Sequence, residues 1–146
     1  MIRLGAFRRA MLHVLNTEMR SGPVISGSSV LMAYLRADMA LSPVECVRVL
    51  HLNSRNMLIR DEMIARGTVD AVAIYNREII ARALELGSSA LIIAHNHPGG
   101  DPSPSSEDVE ITKALVTAAG AFDIQVHDHV IVASEGFSSM RQLRLL

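Results

Sequence analysis

Two histidines two residues apart, with an aspartate eleven residues further on, are the side chains of this chain whose types and spacing suit chemistry. They lie in the stretch His95-Asn96-His97-Pro98-Gly99-Gly100-Asp101-Pro102-Ser103-Pro104-Ser105-Ser106-Glu107-Asp108. In extended backbone, side chains at i and i+2 point the same way, so His95 and His97 can aim two imidazole nitrogens at one point. A Gly/Pro-rich loop then turns the chain back into a helix, and Asp108 falls in its first turn, where its carboxylate can face the histidines. Two neutral imidazoles and one carboxylate suit Zn2+, with a fourth position left for water. Singly, each feature has an ordinary explanation: an HxH pair on a strand is commonly incidental, and an Asp in a first helical turn favours the helix dipole. Their conjunction, on a loop that follows a wholly apolar run, points to a metal.

The elements that must position these groups can be read from hydrophobic periodicity. Residues 90–94 form an unbroken apolar run, the pattern of a buried central strand, and deliver His95 at its end. A helix is predicted over 107–119 and a further strand over 124–133. Upstream, Leu4, Phe7, Met11, Val14 and Leu15 recur at helical spacing over 2–20, and Ser21-Gly22-Pro23 stops that helix. Ser28 or Ser29 can cap a second helix, which runs until Ser42-Pro43. Strands over 44–53 and 57–64 make a hairpin about Asn53-Ser54-Arg55-Asn56, which has turn chemistry. A third strand is predicted over 69–75 and a helix over 77–86, closed by Gly87. The last segment, 138–146, reads as a short closing helix. The fold class implied is mixed α/β, a mixed central sheet flanked by helices, with 1–22 a helical arm and 23–146 the domain proper.

Composition narrows the class. A chain of 146 residues, 49% hydrophobic and 20% charged, has an ordinary globular balance. A domain of that size buries roughly 68–70% of its unfolded surface. Three per cent aromatics and no Trp leave few platforms for stacking on single-stranded nucleic acid. The net charge of −1 provides no global field towards DNA or membranes. Arg3, Arg8, Arg9, His13 and Arg20 nonetheless crowd the start, which suits the solvated face of a first helix, a transit peptide or a nucleic-acid arm. A single cysteine, Cys46, excludes an internal disulfide and a cysteine-based zinc site and fits a reducing compartment. Beside Glu45, it suits a small buried hydrophobe better than a nucleophile. No run reaches the ~18 apolar residues of a membrane span, so a cytoplasmic location and no membrane partner are expected.

His95-x-His97, seven residues, then Ser105-x-x-Asp108 resembles the JAMM motif of JAB/MPN metalloproteases. The words HNHPGGDPSPSSED, RGT, NREI and DHVIV resemble the RadC-like branch in particular, over about residues 23–146. The resemblance implies a JAB/MPN-like (cytidine-deaminase-like) architecture and a zinc-dependent hydrolase that cleaves a peptide or isopeptide bond with activated water. It implies a general base at Glu45, the position that matches the family's upstream glutamate; Glu62, predicted on a neighbouring strand, is the rival, and spacing alone does not separate them. Ser105 matches the motif serine and would bond the developing oxyanion. It can equally cap the helix, with Asp108 three residues on, and Ser106 competes for that role. Asp101 either orients the loop or a histidine ligand, or simply makes a surface turn. Asp128-His129 matches a family word while His127 departs from it; the group reads as support for the site or as core hydrogen bonding, not as another metal site. Gly99 and Asn76 also depart, standing where Ser and Pro are usual.

Other classes are a DNA-repair-associated accessory protein and a catalytically silent MPN scaffold. RadC-like proteins usually carry an upstream helix-hairpin-helix region, so a short member is expected here, and with the −1 charge this weighs against direct DNA binding. A zinc deaminase needs His-x-Glu and a Cys-x-x-Cys pair, which one cysteine rules out. Substrate identity is open, as is a homodimer.

Overall fold

The computed structural model describes residues 2–67 and 76–146; the strand expected over 69–75 lies outside the described residues. Among the described residues four helices, α1 (Ile2–Arg20), α2 (Ser29–Met39), α3 (Asn76–Leu86) and α4 (Ser106–Gly120), flank five strands. These are β1 (Cys46–Leu52), β2 (Leu58–Arg66), β3 (Ala90–Asn96), β4 (Gln125–Ala133) and β5 (Gly136–Ser139). The sheet order is β2-β1-β3-β4-β5, with β3 and β4 parallel and all other pairs antiparallel. It is the mixed sheet expected.

β3 has the run Ala90-Leu91-Ile92-Ile93-Ala94 because it is central, and every residue from Ala90 to Asn96 is buried. Its period of two divides the core. Ile92 and Ala94 join Leu50, Leu52, Val130 and Val132 against α2 residues Leu31, Leu35 and Met39. Leu91 and Ile93 join Val47 and Val49 against Ile79 and Ala83 of α3 and Leu115 and Ala119 of α4. His95, two residues beyond Ile93, therefore faces α4. Asn96 takes the opposite face, where its side chain accepts from the backbone N–H of Cys46 and donates to the carbonyl of Val44.

The local signals explain most boundaries. Ser28 caps α2, with its hydroxyl accepting from the N–H of Leu31. The β1–β2 turn is an Asx-type turn: Asn53 Oδ1 accepts from the N–H groups of Arg55 and Met57, and Asn56 sits at φ 59°. Gly87, at φ 68°, ends α3. On α1 the predicted stripe packs only through Leu15. Leu4, Phe7 and Val14 are more than 60% exposed, whereas Leu15 joins Leu12 and Met19, outside the stripe, against the α2 core.

The closing helix expected over 138–146 is a correction. A hairpin forms in its place: β5 pairs with β4 from Ala133↔Gly136 to Val130↔Ser139, and turns follow. The reason is side-chain anchoring that competes with helix formation. Ser138 donates to the carbonyl of Pro102, Ser139 donates to Asp128, and Arg144 takes a left-handed φ of 58°. Buried Asp128 collects Ser26, Ser139 and the backbone N–H groups of His129 and Arg141, tying the segment before α2 to β4 and the chain end.

Candidate metal centre

The site forms where the ends of β1 and β3 meet the start of α4. Val47 pairs with His95, so Glu45, two residues before Val47, reaches the same sheet face as His95. One ligand atom each from Glu45, His95 and His97 lies within 4.8 Å of the others, an arrangement that could hold a metal ion. The Nε2 atoms of His95 and His97 are 2.8 Å apart, and Glu45 Oε1 is 3.8 Å from His95 Nε2. Asp108 closes the group from α4, with Oδ1 3.4 Å from His95 Nε2 and Oδ2 3.4 Å from His97 Nε2. Glu62, the rival of Glu45, is elsewhere: Arg82 of α3 donates to both of its oxygens, at 2.6 to 3.1 Å.

A capping box aims Asp108. Ser105 is the N-cap of α4, not Ser106; its hydroxyl accepts from the N–H of Asp108 and its N–H donates to Asp108 Oδ2. The two bonds that start the helix thus also turn its third residue's carboxylate back towards the histidines. His97 is held by the Gly/Pro loop: its Nδ1 is 2.9 Å from the carbonyl oxygen of Asp101, whose side chain in turn accepts from the N–H of Ser103. Asp101 therefore touches the site through its backbone.

His95 is 1% exposed and His97's side chain 21%, so the site opens on the His97 side. Burial drives the pKa of His95 down to about 4, against the pull of Asp108. The hydrogen bond with Asp108 raises that of His97 despite partial burial. Burial alone would raise the Asp108 carboxyl, but His97, His95 and the Ser105 contacts together hold it well below the usual carboxylate range. The result is a carboxylate beside two imidazoles, one shifted down by burial and the other up by its bond to that carboxylate.

Behind His95 runs a chain that sequence spacing did not reveal. His95 Nδ1 is 2.6 Å from His129 Nε2, and His129 Nδ1 is 2.6 Å from Thr112 Oγ1. Thr112 Oγ1 donates to the carbonyl of Asp108 at 2.6 Å. His129 thus supports the site, one of the two roles its match to a family word leaves open, whereas His127 does not join it. β4 carries a bulge there: Leu91 pairs with Val126 and Ile92 with Asp128, leaving His127 unpaired. His127 turns instead to Asn56, 2.8 Å away. Thr112 was missed; the signal was its place one turn after Asp108 on the same helix face. Cys46, by contrast, is buried, and its thiol makes weak contacts to Ser42 and the Val44 carbonyl.

The model of the RadC-like JAB domain matches residues 25–145, a span that includes all the residues gathered at the site. The match covers most of the chain, and the mixed sheet flanked by helices is consistent with it; the chain belongs to the RadC-like JAB domain family.

Proposed function

We propose that this protein is a zinc-dependent hydrolase that cleaves a peptide or isopeptide bond, with His95, His97 and Asp108 as metal ligands. The observation that carries the reading is the convergence of acceptors. Two imidazole Nε2 atoms 2.8 Å apart face two carboxylates at 3.4 to 3.8 Å. Such a concentration of lone pairs and negative charge calls for a cation at its centre. Nitrogen and oxygen donors in this ratio, two histidines and one carboxylate with room for a further ligand, are a zinc set.

Zinc held there supplies Lewis acidity, which makes water nucleophilic near neutral pH. The chain's own residues do the rest. Glu45, half-buried on the sheet face that carries His95, takes the proton from the attacking water and passes it to the leaving amine. Ser105 accepts the helix N–H with one lone pair and keeps its own hydroxyl proton for the developing oxyanion. Asp108, fixed by the same capping box, keeps its charge towards the histidines. A DNA-binding arm is the weaker reading, because Arg8 already donates to the carbonyls of Ala37 and Asp38 at the end of α2.

The test is hydrolysis of a panel of peptide and isopeptide substrates by zinc-loaded protein. Cleavage that a chelator abolishes, that added zinc restores and that Glu45→Gln lacks is expected. Cleavage that persists in Glu45→Gln would reject Glu45 as the base. Failure on every amide substrate would favour a scaffold that keeps the site without the reaction.

A further inference from the structure

We propose that Thr112 and His129 are positioning residues that fix the tautomer of His95, so that its Nε2 presents a lone pair to the metal. The inference rests on the metal reading above, and it follows from the polarity of one hydrogen-bonded chain. That chain runs from His95 Nδ1 to His129 Nε2, from His129 Nδ1 to Thr112 Oγ1, and from Thr112 Oγ1 to the carbonyl of Asp108.

The last link sets the direction. A carbonyl oxygen only accepts, and 2.6 Å between it and Thr112 Oγ1 requires a proton between the two oxygens, which only the Thr112 hydroxyl can provide. A hydroxyl has one proton, so towards His129 it must accept, and His129 Nδ1 carries the hydrogen. His129 is fully buried and its two ring nitrogens meet a hydroxyl and an imidazole, neither of which carries the negative charge a buried imidazolium needs, so its Nε2 has only a lone pair and must accept from His95 Nδ1–H. A neutral His95 then has no hydrogen on Nε2, the atom that faces Glu45, His97 and Asp108. The opposite polarity would place two oxygen lone pairs against each other at 2.6 Å.

The two ends of the chain are also the two sides of the site. It starts on a proposed ligand and ends on the backbone of another, so α4 supplies both the Asp108 carboxylate and, through Thr112, the orientation of His95. The β4 bulge at His127 is what lets His129 face α4. Partners of this kind orient a ligating imidazole and raise its affinity, and their removal typically costs about 10–100-fold in metal binding.

Replacing His129, which is fully buried, risks the fold, so the test uses Thr112. Nitrogen-15 NMR of histidine-labelled, metal-free protein near pH 8 reads the tautomers directly, and competition with a chromogenic chelator reads zinc affinity. In the wild type, His95 and His129 should both be Nδ1–H. Thr112→Val keeps the shape and removes the hydroxyl. It should move His95 towards the Nε2–H form and weaken zinc binding about 10–100-fold, while Thr112→Ser should match the wild type. A wild-type His95 that is Nε2–H overturns the proposal. So does a folded Thr112→Val protein that keeps the His95 Nδ1–H form with zinc affinity within about threefold of the wild type. Should Thr112→Val not fold, the wild-type tautomers alone decide. Expected tautomers in a protein that takes up no zinc would uphold the chain and reject the metal reading.

Discussion

Ser105 starts α4 and restrains Asp108. Ser105→Ala should cost about 1 kcal/mol in urea denaturation, the usual value of an N-cap, and should also weaken zinc binding because Asp108 loses its brace. An alanine that lowered stability but left affinity unchanged would separate the two roles and count against the second. Much of this was legible because His95, His97, Ser105 and Asp108 fall within fourteen consecutive residues, where spacing and local backbone preference decide geometry. Glu45 was legible only through resemblance. Its nearness to His95 arises from β1–β3 pairing across fifty residues of chain, which no local pattern encodes, and the separation of Glu62 depends on Arg82 of α3.

Among the elements, the strands and their helices were clearer than their junctions. Residues 90–94 announced β3, and α1 and α3 began and ended close to their punctuation. The chain end did not, because Ser138-Ser139-Met140 looks helical until Asp128 and the Pro102 carbonyl bind the two serines. Asp128→Ala should therefore unfold the protein at lower urea, by roughly 3 kcal/mol or more, since it strands two hydroxyls and two backbone donors. A loss under about 1 kcal/mol would show that the hairpin holds without it. On the other side of the sheet, Arg48 of β1 bridges Asp38 and Asp61, and Tyr34 of α2 donates to Asp61 at 2.5 Å. Burial first, then that hydrogen bond, pushes the Tyr34 phenol up to about 12. A group whose folded pKa is raised contributes stability that is complete below its unfolded pKa, near 10, and is lost as pH rises towards 12. Comparison with Tyr34→Phe by ultraviolet titration should show one phenol ionising late; ionisation near 10 would contradict the buried bond.

At the scale of the whole molecule, two apolar layers enclose the sheet and the site lies at the rim of one of them, between α4 and the strand ends. This arrangement follows from parity: the alternation that packs Leu91 and Ile93 on α3 and α4 carries His95 to the same side. The β4 bulge breaks that alternation, so strand periodicity could not tell which face His129 takes, although its match to a family word pointed to support for the site. On α1, burial separates two kinds of apolar residue. Met19→Ala, at 4% exposure, should cost about 2–5 kcal/mol, whereas Phe7→Ser, at 69%, should stay within about 0.5 kcal/mol. Equal losses would mean that α1 packs by its other face. No helix among the described residues is long and apolar enough to cross a membrane, and all the chemistry assembled here converges on one cluster of acceptors. The most direct measurement is therefore the metal content of protein purified without chelators, beside His97→Ala and Glu45→Gln. About one zinc per chain is expected in the wild type and in Glu45→Gln, and none in His97→Ala. Wild-type protein that takes up no zinc, even when it is offered at neutral pH, would contradict the account.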